Sequence, residues 1–225
     1  IEAAMTAGFL SYGANVKLLG VIPTPAVAYL TRKLQADASV VISASHNTFE
    51  FNGIKYFSNK GMKIPDSLEE EIEEVMDSGK IDELTAVSSK IGVSEYRQDL
   101  LDEYVYFFRK NFDDNFEKLN REDFVVGIDT ANGATSVVAE KVFKALGIKY
   151  KIIHNNPDGI NINDNCGSTH LDSLKKFVVE NKLSLGVAYD GDGDRCLAVD
   201  ENGNEIDGDM IMAIVSNYLR KKGKL

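Results

Sequence analysis

Tryptophan is absent from this sequence of 225 residues, which also has only two cysteines and four prolines. Two cysteines are far too few for a disulfide framework, so we expect Cys166 and Cys196 to be reduced and buried, as in a protein of the cytoplasm. No apolar run approaches the roughly 20 residues of a membrane-spanning helix, and no signal-peptide pattern is present. The sequence therefore predicts a cytoplasmic protein without a membrane partner.

Basic residues are also scarce. Lysine and arginine number 25 against 35 acidic residues, which gives a net charge of −10. This excess of negative charge argues against nucleic acid as a partner, and an anionic substrate would need a locally positive pocket. With 44% hydrophobic residues, the chain is long enough for two compact α/β units.

Strand and helix patterns alternate along the chain. In the first half, residues 16–22 and 38–43 have strand patterns, with a helix predicted over 25–33 between them. A long helix is predicted over 95–112, with Tyr104, Phe107 and Phe108 on its core side, connecting the two units. The second unit is predicted as strand 124–129, helix 134–146, strand 149–153, helix 171–181 and strand 184–189. Such alternation favours an α/β fold with a largely parallel sheet and right-handed crossovers.

The most informative segment is an acidic loop between two apolar runs. It places Asp190, Asp192 and Asp194 at alternate positions with glycines between them, and Arg195 follows. Three carboxylates this close raise one another's pKa unless a cation neutralises them. Ligands that are all oxygen favour Mg²⁺ or Ca²⁺ over Zn²⁺, and an adjacent arginine suits a phosphate-bearing partner.

The acidic loop also resembles two other kinds of loop. The first is a solvated acidic turn between two strands. The second is a calcium loop of the EF-hand type, which requires a glycine where this chain has Arg195. The EF-hand also requires flanking helices, whereas the runs on both sides of this loop are typical of buried strands.

A second segment runs from the apolar strand 38–43 into a turn that carries Ser45, His46 and Asn47. A serine at the end of a strand can act as a nucleophile or carry a phosphate. Taken alone the signal is weak, because serines are common in turns for hydrogen-bonding reasons. A turn dipeptide, Asn52-Gly53, follows and precedes Lys55, which by itself would be interpreted as a surface charge.

Together these segments resemble the α-D-phosphohexomutase superfamily, and within it the branch of bacterial phosphoglucosamine mutases. The resemblance spans nearly the whole chain. It rests on the serine turn with Lys55, on the acidic loop with Arg195, and on the branch markers at residues 20–32, 129–133, 157–163, 166–170 and 207–212. One departure is visible, because this family usually has proline where Thr48 stands. Proline would stiffen the turn, but Thr48 removes no reacting group.

The resemblance implies a role for each site residue. Ser45 would be the phosphoserine, and one of its phosphate oxygens would join Asp190, Asp192 and Asp194 in holding Mg²⁺. Arg195 would steady the phosphate during transfer. Lys55 and His46 would stabilise charge or handle protons around the serine.

The resemblance also implies two α/β/α sandwich domains with mostly parallel, mixed sheets. Domain 1 would cover residues 1–119, domain 2 would cover 120–204, and 205–225 would begin domain 3. Family members are considerably longer, so we expect a fragment whose first domain is incomplete and which lacks most of domain 3 and all of domain 4.

The implied activity is the interconversion of glucosamine 6-phosphate and glucosamine 1-phosphate through a bisphosphorylated sugar, with a hexose bisphosphate as activator. This reaction feeds UDP-N-acetylglucosamine and cell-wall synthesis. One alternative is a sibling mutase that acts on glucose or mannose phosphates. Another is that the fragment alone is a non-catalytic module that binds metal or phosphate. The resemblance leaves a homodimer open.

Overall fold

The computed structural model describes residues 1–79, 85–116 and 123–225, with only the backbone of residues 113–116. The predicted boundary between domains at residues 119 and 120 lies outside the described residues. Within the described ranges, each helix is too short or too polar to span a bilayer. The chain divides into two compact units, the first formed by Ile1–Ser43 and Gly53–Tyr104 and the second by Ala44–Asn52 and Val105–Leu225.

The first unit contains two short ladders. β1 pairs in parallel with β4, and β2 pairs antiparallel with β3 over six residues, from Ala38 opposite Ser58 to Ser43 opposite Gly53. Its elements are α1 (Glu2–Ser11), β1 (Val16–Leu18), α2 (Thr24–Lys33), β2 (Ala38–Ser43), β3 (Gly53–Ser58), α3 (Asp66–Asp77), β4 (Ser94–Tyr96) and the beginning of α4 (Leu100–Phe116).

Helix α2 packs on β2 because its apolar residues recur at helical spacing. Ala26, Val27 and Leu30 are buried on one face. On the same face the Thr31 hydroxyl lies 2.6 Å from the Ser39 hydroxyl and donates to the Val27 carbonyl at 2.7 Å. The helix therefore has a fixed rotation against the strand that leads into the serine turn.

The second unit contains a five-stranded mixed sheet of order β6-β5-β7-β8-β9. Strands β6, β5 and β7 are parallel to one another, and β8 pairs antiparallel with both β7 and β9. Besides the end of α4, its elements are β5 (Val125–Asp129), α5 (Ala139–Ala145), β6 (Lys149–Ile153), α6 (Asp172–Glu180), β7 (Leu185–Tyr189), β8 (Cys196–Asp200), β9 (Glu205–Ile206) and α7 (Gly208–Lys221).

Both faces of the second sheet are covered. Val126 and Ile128 of β5 form a core with Ala139 of α5. On the opposite face, Leu174 and Val178 of α6 form a larger core with residues from β7 and β8. Because side chains of a strand alternate between its faces, this double cover explains why the strands are apolar almost throughout.

The predicted α/β class with mixed sheets is confirmed. Several element boundaries differ from the predictions. The first strand ends at Leu18 instead of residue 22, and residues 94–96 form β4 where a helix was predicted to begin. Residues 134–137 form a 3-10 turn before α5. Residues 53–58, for which no element was predicted, form the antiparallel strand β3, and Gly53 of the predicted turn dipeptide is its first residue.

Candidate functional site

Three parallel strands of the second unit bring polar residues to one edge of the sheet. Asp129 ends β5, His154 follows β6 and Asp190 follows β7. The carboxyl ends of parallel strands meet at the same edge, and ligand sites of open α/β sheets occur at that edge.

The acidic loop begins with two buried carboxylates. Asp190 is fully buried and Asp192 is 3% exposed, whereas Asp194 is exposed. One oxygen from each of the three lies within 4.8 Å of the others. Burial, together with the charges of Asp192 and Asp194, raises the pKa of Asp190 to about 6, although the Arg195 amide donates to Asp190 Oδ1 at 3.1 Å.

These carboxylates fit a hard cation. In the part of the chain that the structure describes, Asp190 Oδ2 is a buried oxygen without a hydrogen-bond partner. A buried acceptor without a donor is costly, and a cation bound by all three carboxylates would satisfy it and relieve their repulsion. Oxygen ligands of this kind are those of Mg²⁺ and Ca²⁺.

Glycine backbone contacts hold this loop closely. A Cβ atom on Gly191 would lie 2.6 Å from both the Ser45 carbonyl oxygen and Asn163 Nδ2. A Cβ atom on Gly133 would lie 2.2 Å from the Gly191 carbonyl oxygen, which accepts a hydrogen bond from the Ala134 amide at 2.7 Å. Only glycine permits both approaches.

The serine turn follows the end of β2 and belongs to the second unit. Ser45 has a left-handed φ of 56°, which is uncommon for a serine, and the Asn47 amide closes the turn by donating to the Ala44 carbonyl at 3.0 Å. Ser45 and His46 are half-buried. The Asn163 side chain donates to the carbonyl oxygens of Ser45, at 2.9 Å, and of Asn47, at 2.7 Å.

The second unit thus brings the serine turn and the acidic loop together. Arg195 is exposed at the end of that loop. Lys55 lies in β3 of the first unit, half-buried and opposite Val41, so its role at the site stays a prediction. The prediction that both cysteines are buried is wrong for Cys196, which is exposed at the start of β8, because it is the last position before the buried part of that strand.

A second group of potential metal donors consists of Asp129, His154 and Cys166. The Asp129 oxygens are already engaged, since Oδ1 accepts from the Ala131 amide, and Oδ2 accepts from the Gly167 amide and lies 2.9 Å from His154 Nδ1. Burial, with the charges of Asp129 and Asp164, raises the pKa of Cys166 to about 12, so its thiol is protonated at neutral pH. We assign this group a structural role in fastening the loops at the sheet edge.

Sequence reasoning missed the part that Asn163 has in this site. From the sequence, Asn163 was placed only within the branch marker at residues 157–163 and was given no role. Its contacts are with residues 116 and 118 positions away in the chain, which no local pattern indicates. The residue type is consistent with the conformation found: Asn163 has a left-handed φ of 56°, which asparagine tolerates better than most residues.

Comparison with known families gives two matches. Residues 1–82 match the family model described as phosphoglucomutase/phosphomannomutase, alpha/beta/alpha domain I, and residues 102–203 match that of domain II. A crystal structure of a phosphoglucomutase/phosphomannomutase family protein from Burkholderia thailandensis superposes with a TM-score of 0.78 at 24% identity. That superposition covers 98% of this chain and 48% of the other, and it shows the likeness of fold.

Two curated relatives are both named phosphoglucosamine mutase. The one from Acetivibrio thermocellus is 51% identical over 227 residues, and the one from Ruminiclostridium cellulolyticum is 50% identical over 225 residues. Each alignment includes all of this chain and 49% of the relative. The chain therefore spans about half the length of the curated relatives that it matches.

Proposed function

This chain belongs to the phosphoglucomutase/phosphomannomutase family, and from that membership we propose that it carries the phosphoserine turn and the metal loop of a phosphoglucosamine mutase. The observation that carries the proposal is the close approach of the Ser45 turn to the acidic loop at Gly191. This approach would place a serine phosphate beside three carboxylates that need a cation.

The proposed reaction consists of two phosphoryl transfers. In the first, the bond from phosphorus to Ser45 Oγ breaks as phosphorus bonds to a hydroxyl oxygen of the sugar phosphate. The hydroxyl proton passes to a nearby base, and Ser45 Oγ takes up a proton. The sugar then carries two phosphates. In the second transfer, the bond from the other phosphorus to its sugar oxygen breaks as that phosphorus bonds to Ser45 Oγ. The serine proton passes to the base, the sugar oxygen takes up a proton, and the isomeric monophosphate is released.

The residues of this chain would contribute positioning and charge, on which phosphoryl transfer chiefly depends. Arg195 would bind the oxygens of the transferred group, and a guanidinium is well shaped for that contact. His46, half-buried next to the serine, is the candidate for proton transfer. Lys55 would offset the negative charge of the phosphate.

Asp190, Asp192 and Asp194 would hold Mg²⁺, with an oxygen of phosphorylated Ser45 as a further ligand. When bound, the ion would neutralise part of the charge on the phosphate. In the resting protein the carboxylates would keep the Ser45 turn beside the loop by sharing that ion.

The relatives support one substrate class for this proposal. Two phosphoglucosamine mutases about 50% identical to the chain favour glucosamine phosphates, whereas the family models alone are equally consistent with glucose or mannose phosphates. A hexose bisphosphate would charge the serine at the start. We place the reaction in the cytoplasm, in the supply of amino-sugar precursors of the cell wall.

The experiment that tests this proposal is phosphorylation of the 225-residue chain by a hexose bisphosphate with Mg²⁺. Intact mass should increase by one phosphate, and Ser45→Ala should abolish the increase. Ser58→Ala is the matched control, because Ser58 lies in β3 with its hydroxyl donating to the Met62 carbonyl, and it should be phosphorylated like the parent. Phosphate found on Ser43 or Ser58 would overturn the assignment of the nucleophile.

For specificity, the complete gene product should be assayed with glucosamine 6-phosphate and glucose 6-phosphate at equal concentration. A higher kcat/KM for the amino sugar is expected. The reverse ratio would favour the sibling mutase.

A further inference from the structure

Within the second unit, the side chain of Asn163 is hydrogen-bonded to the backbone of the serine turn. It is 3% exposed, and its one amide nitrogen donates to two carbonyl oxygens, those of Ser45 and Asn47. These two acceptors lie on either side of His46. Both hydrogens of the amide are therefore used to hold one short stretch of backbone.

The orientation of this amide follows from its surroundings. Two carbonyl oxygens require a donor, so the nitrogen faces the turn and Oδ1 faces away. Among the described residues, Oδ1 is a buried atom without a hydrogen-bond partner. Leaving a buried acceptor unsatisfied is unfavourable, which indicates that the residue is retained for its two donors.

Asn163 is itself held firmly. Its backbone amide donates to the Ala131 carbonyl at 3.0 Å, and the Ala131 amide donates to Asp129 Oδ1 at 2.9 Å. Since Asp129 ends β5, which lies between β6 and β7, two hydrogen bonds connect the sheet to the residue that holds the turn. The residue that binds the serine turn is therefore itself fixed to the end of a strand.

The metal loop meets the same amide. A Cβ atom on Gly191 would lie 2.6 Å from Asn163 Nδ2 and equally close to the Ser45 carbonyl oxygen. Gly191 stands between Asp190 and Asp192 in the chain. Asn163 consequently contacts both the segment that carries the serine and the segment that carries the carboxylates.

We propose that Asn163 is a positioning residue that sets the distance between the Ser45 turn and the Asp190–Asp194 loop. Asn163 acts through the two carbonyl oxygens to which its side chain donates. The left-handed conformation of Ser45 is unfavourable for that residue, and the two hydrogen bonds from Asn163 stabilise it. This inference rests on the proposed function, which gives the serine its chemical role.

Two variants of the 225-residue chain test the inference. Asn163→Asp keeps the size of the side chain and replaces both donors by an oxygen, while Asn163→Ala removes the side chain. The controls are Asn165→Asp and Asn165→Ala. Asn165 has a similar left-handed φ of 51°, but it is exposed and its side chain donates to Asp164 Oδ1. The Asn165 variants therefore make the same change of charge, at the same kind of backbone position, as the Asn163 variants.

The first measurement is hydrogen–deuterium exchange of the amides in 44–52. Loss of two hydrogen bonds should speed exchange there by about tenfold or more in both Asn163 variants, with little change in peptides of α2 or β5 and none in the Asn165 variants. Exchange in 44–52 that matches the parent would overturn the inference. Should Asn163→Asp fail to fold, Asn163→Ala decides the result.

The second measurement separates positioning from mere stability. At a temperature where all variants are folded, phosphoryl incorporation at Ser45 should slow by about a hundredfold in Asn163→Asp, while the Kd for Mg²⁺ stays close to that of the parent. Equal rates in parent and variant would refute the inference and leave the proposed function standing. If the parent itself takes no phosphate on Ser45, the proposed function fails, and exchange still decides whether Asn163 holds the turn.

Discussion

Asp129 shows how one buried carboxylate can organise several loops. It is fully buried at the end of β5, accepts from the amides of Ala131 and Gly167, and lies 2.9 Å from His154 Nδ1. Each contact fastens a different segment of the sheet edge. The ion pair with His154 is the contact that depends on pH.

The hydrogen bond to Asp129 raises the pKa of His154 above its ordinary value of 6.5. Protonated His154 therefore stabilises the folded state fully below about pH 6.5, and this contribution disappears as the pH rises through the raised pKa. We expect the free energy of unfolding to fall across that window in the parent and to fall less in His154→Gln. Urea denaturation between pH 5 and about pH 9 measures this.

His170→Gln is the control for that experiment, because His170 is exposed and lies in no ion pair among those that the structure describes. It should keep the decline seen in the parent. Parallel curves for the parent and His154→Gln would contradict the stabilising role of the pair.

Removing the negative charge of Asp192 should have opposite effects on metal binding and on the stability of the metal-free protein. Asp192→Asn should weaken Mg²⁺ binding by about tenfold or more, because one of three charged ligands is lost. Without metal, the variant should be as stable as the parent or more stable, since the charge of Asp192 helps to raise the pKa of Asp190. Calorimetric titration and a thermal melt test the two signs.

The exposed Glu201, in the turn after β8, offers a matched change of charge. Glu201→Gln should leave Mg²⁺ affinity nearly unchanged. A metal-free Asp192→Asn protein that melts well below the parent would count against mutual repulsion in the loop.

The acidic loop as an element depends on close backbone approach. Gly191→Ala would force a methyl group to within 2.6 Å of the Ser45 carbonyl oxygen, so the loop or the turn must shift. We expect the free energy of unfolding to fall by about 1–3 kcal/mol and Mg²⁺ affinity to fall with it. Urea unfolding and Mg²⁺ titration provide the measurements.

The control for Gly191→Ala is an alanine substitution at a glycine that has open space around it. Gly8 lies in α1, and a Cβ atom there meets nothing within 4 Å, so Gly8→Ala should leave stability equal or raise it by about 0.5–1 kcal/mol. If Gly191→Ala were as harmless as Gly8→Ala, the contact between loop and turn would be looser than described.

Elements with strong local patterns were predicted from the sequence. Strand β2 has the predicted bounds, and β6, β7 and α6 differ from theirs by a residue or less at each end, because apolar periodicity and turn residues mark them. Strand β4 was missed because Ser94–Tyr96 is exposed and owes its conformation to pairing with β1, which local sequence does not encode. No strand was predicted for β3, whose first four residues are exposed or half-buried and lack a clear apolar alternation.

The same division applies to the site. The three aspartates and Arg195 were proposed as a site for a cation and a phosphate because their chemistry is visible within six residues. The contacts of Asn163 and Gly191 with the serine turn were not predicted, since they depend on distance in space between segments far apart in the chain. The resemblance, in turn, gave Ser45 and Lys55 their roles, since the local signal of Ser45 is weak and Lys55 by itself is interpreted as a surface charge.

At the scale of the molecule, the chain spans about half of its curated relatives, and we predict that it folds and accepts a phosphate without sustained mutase turnover. In the proposed reaction the bisphosphorylated sugar would reorient between the two transfers, and the family resemblance implies that a further domain holds its distal phosphate. Lost orientation can raise a barrier by roughly 7–11 kcal/mol. A coupled assay with glucosamine 6-phosphate checks this.

Steady-state activity of the 225-residue chain close to that of the complete gene product would refute that prediction. Slow loss of phosphate from Ser45, or a single transfer without turnover, would agree with it.

Segment Ala44–Asn52 belongs with the second unit, although its neighbours in the chain, β2 and β3, belong to the first. Consider a hybrid protein that takes residues 1–104 from one homologue and residues 105–225 from another. Its serine segment would come from the first homologue and the asparagine that binds this segment from the second. Because Asn163 contacts carbonyl oxygens, which every residue has, the borrowed side chains can differ without loss of either bond. The two bonds constrain the path of the main chain at residues 45–47 and place no requirement on the side chains there, so Ser45 and His46 are required by their proposed chemistry and not by this contact.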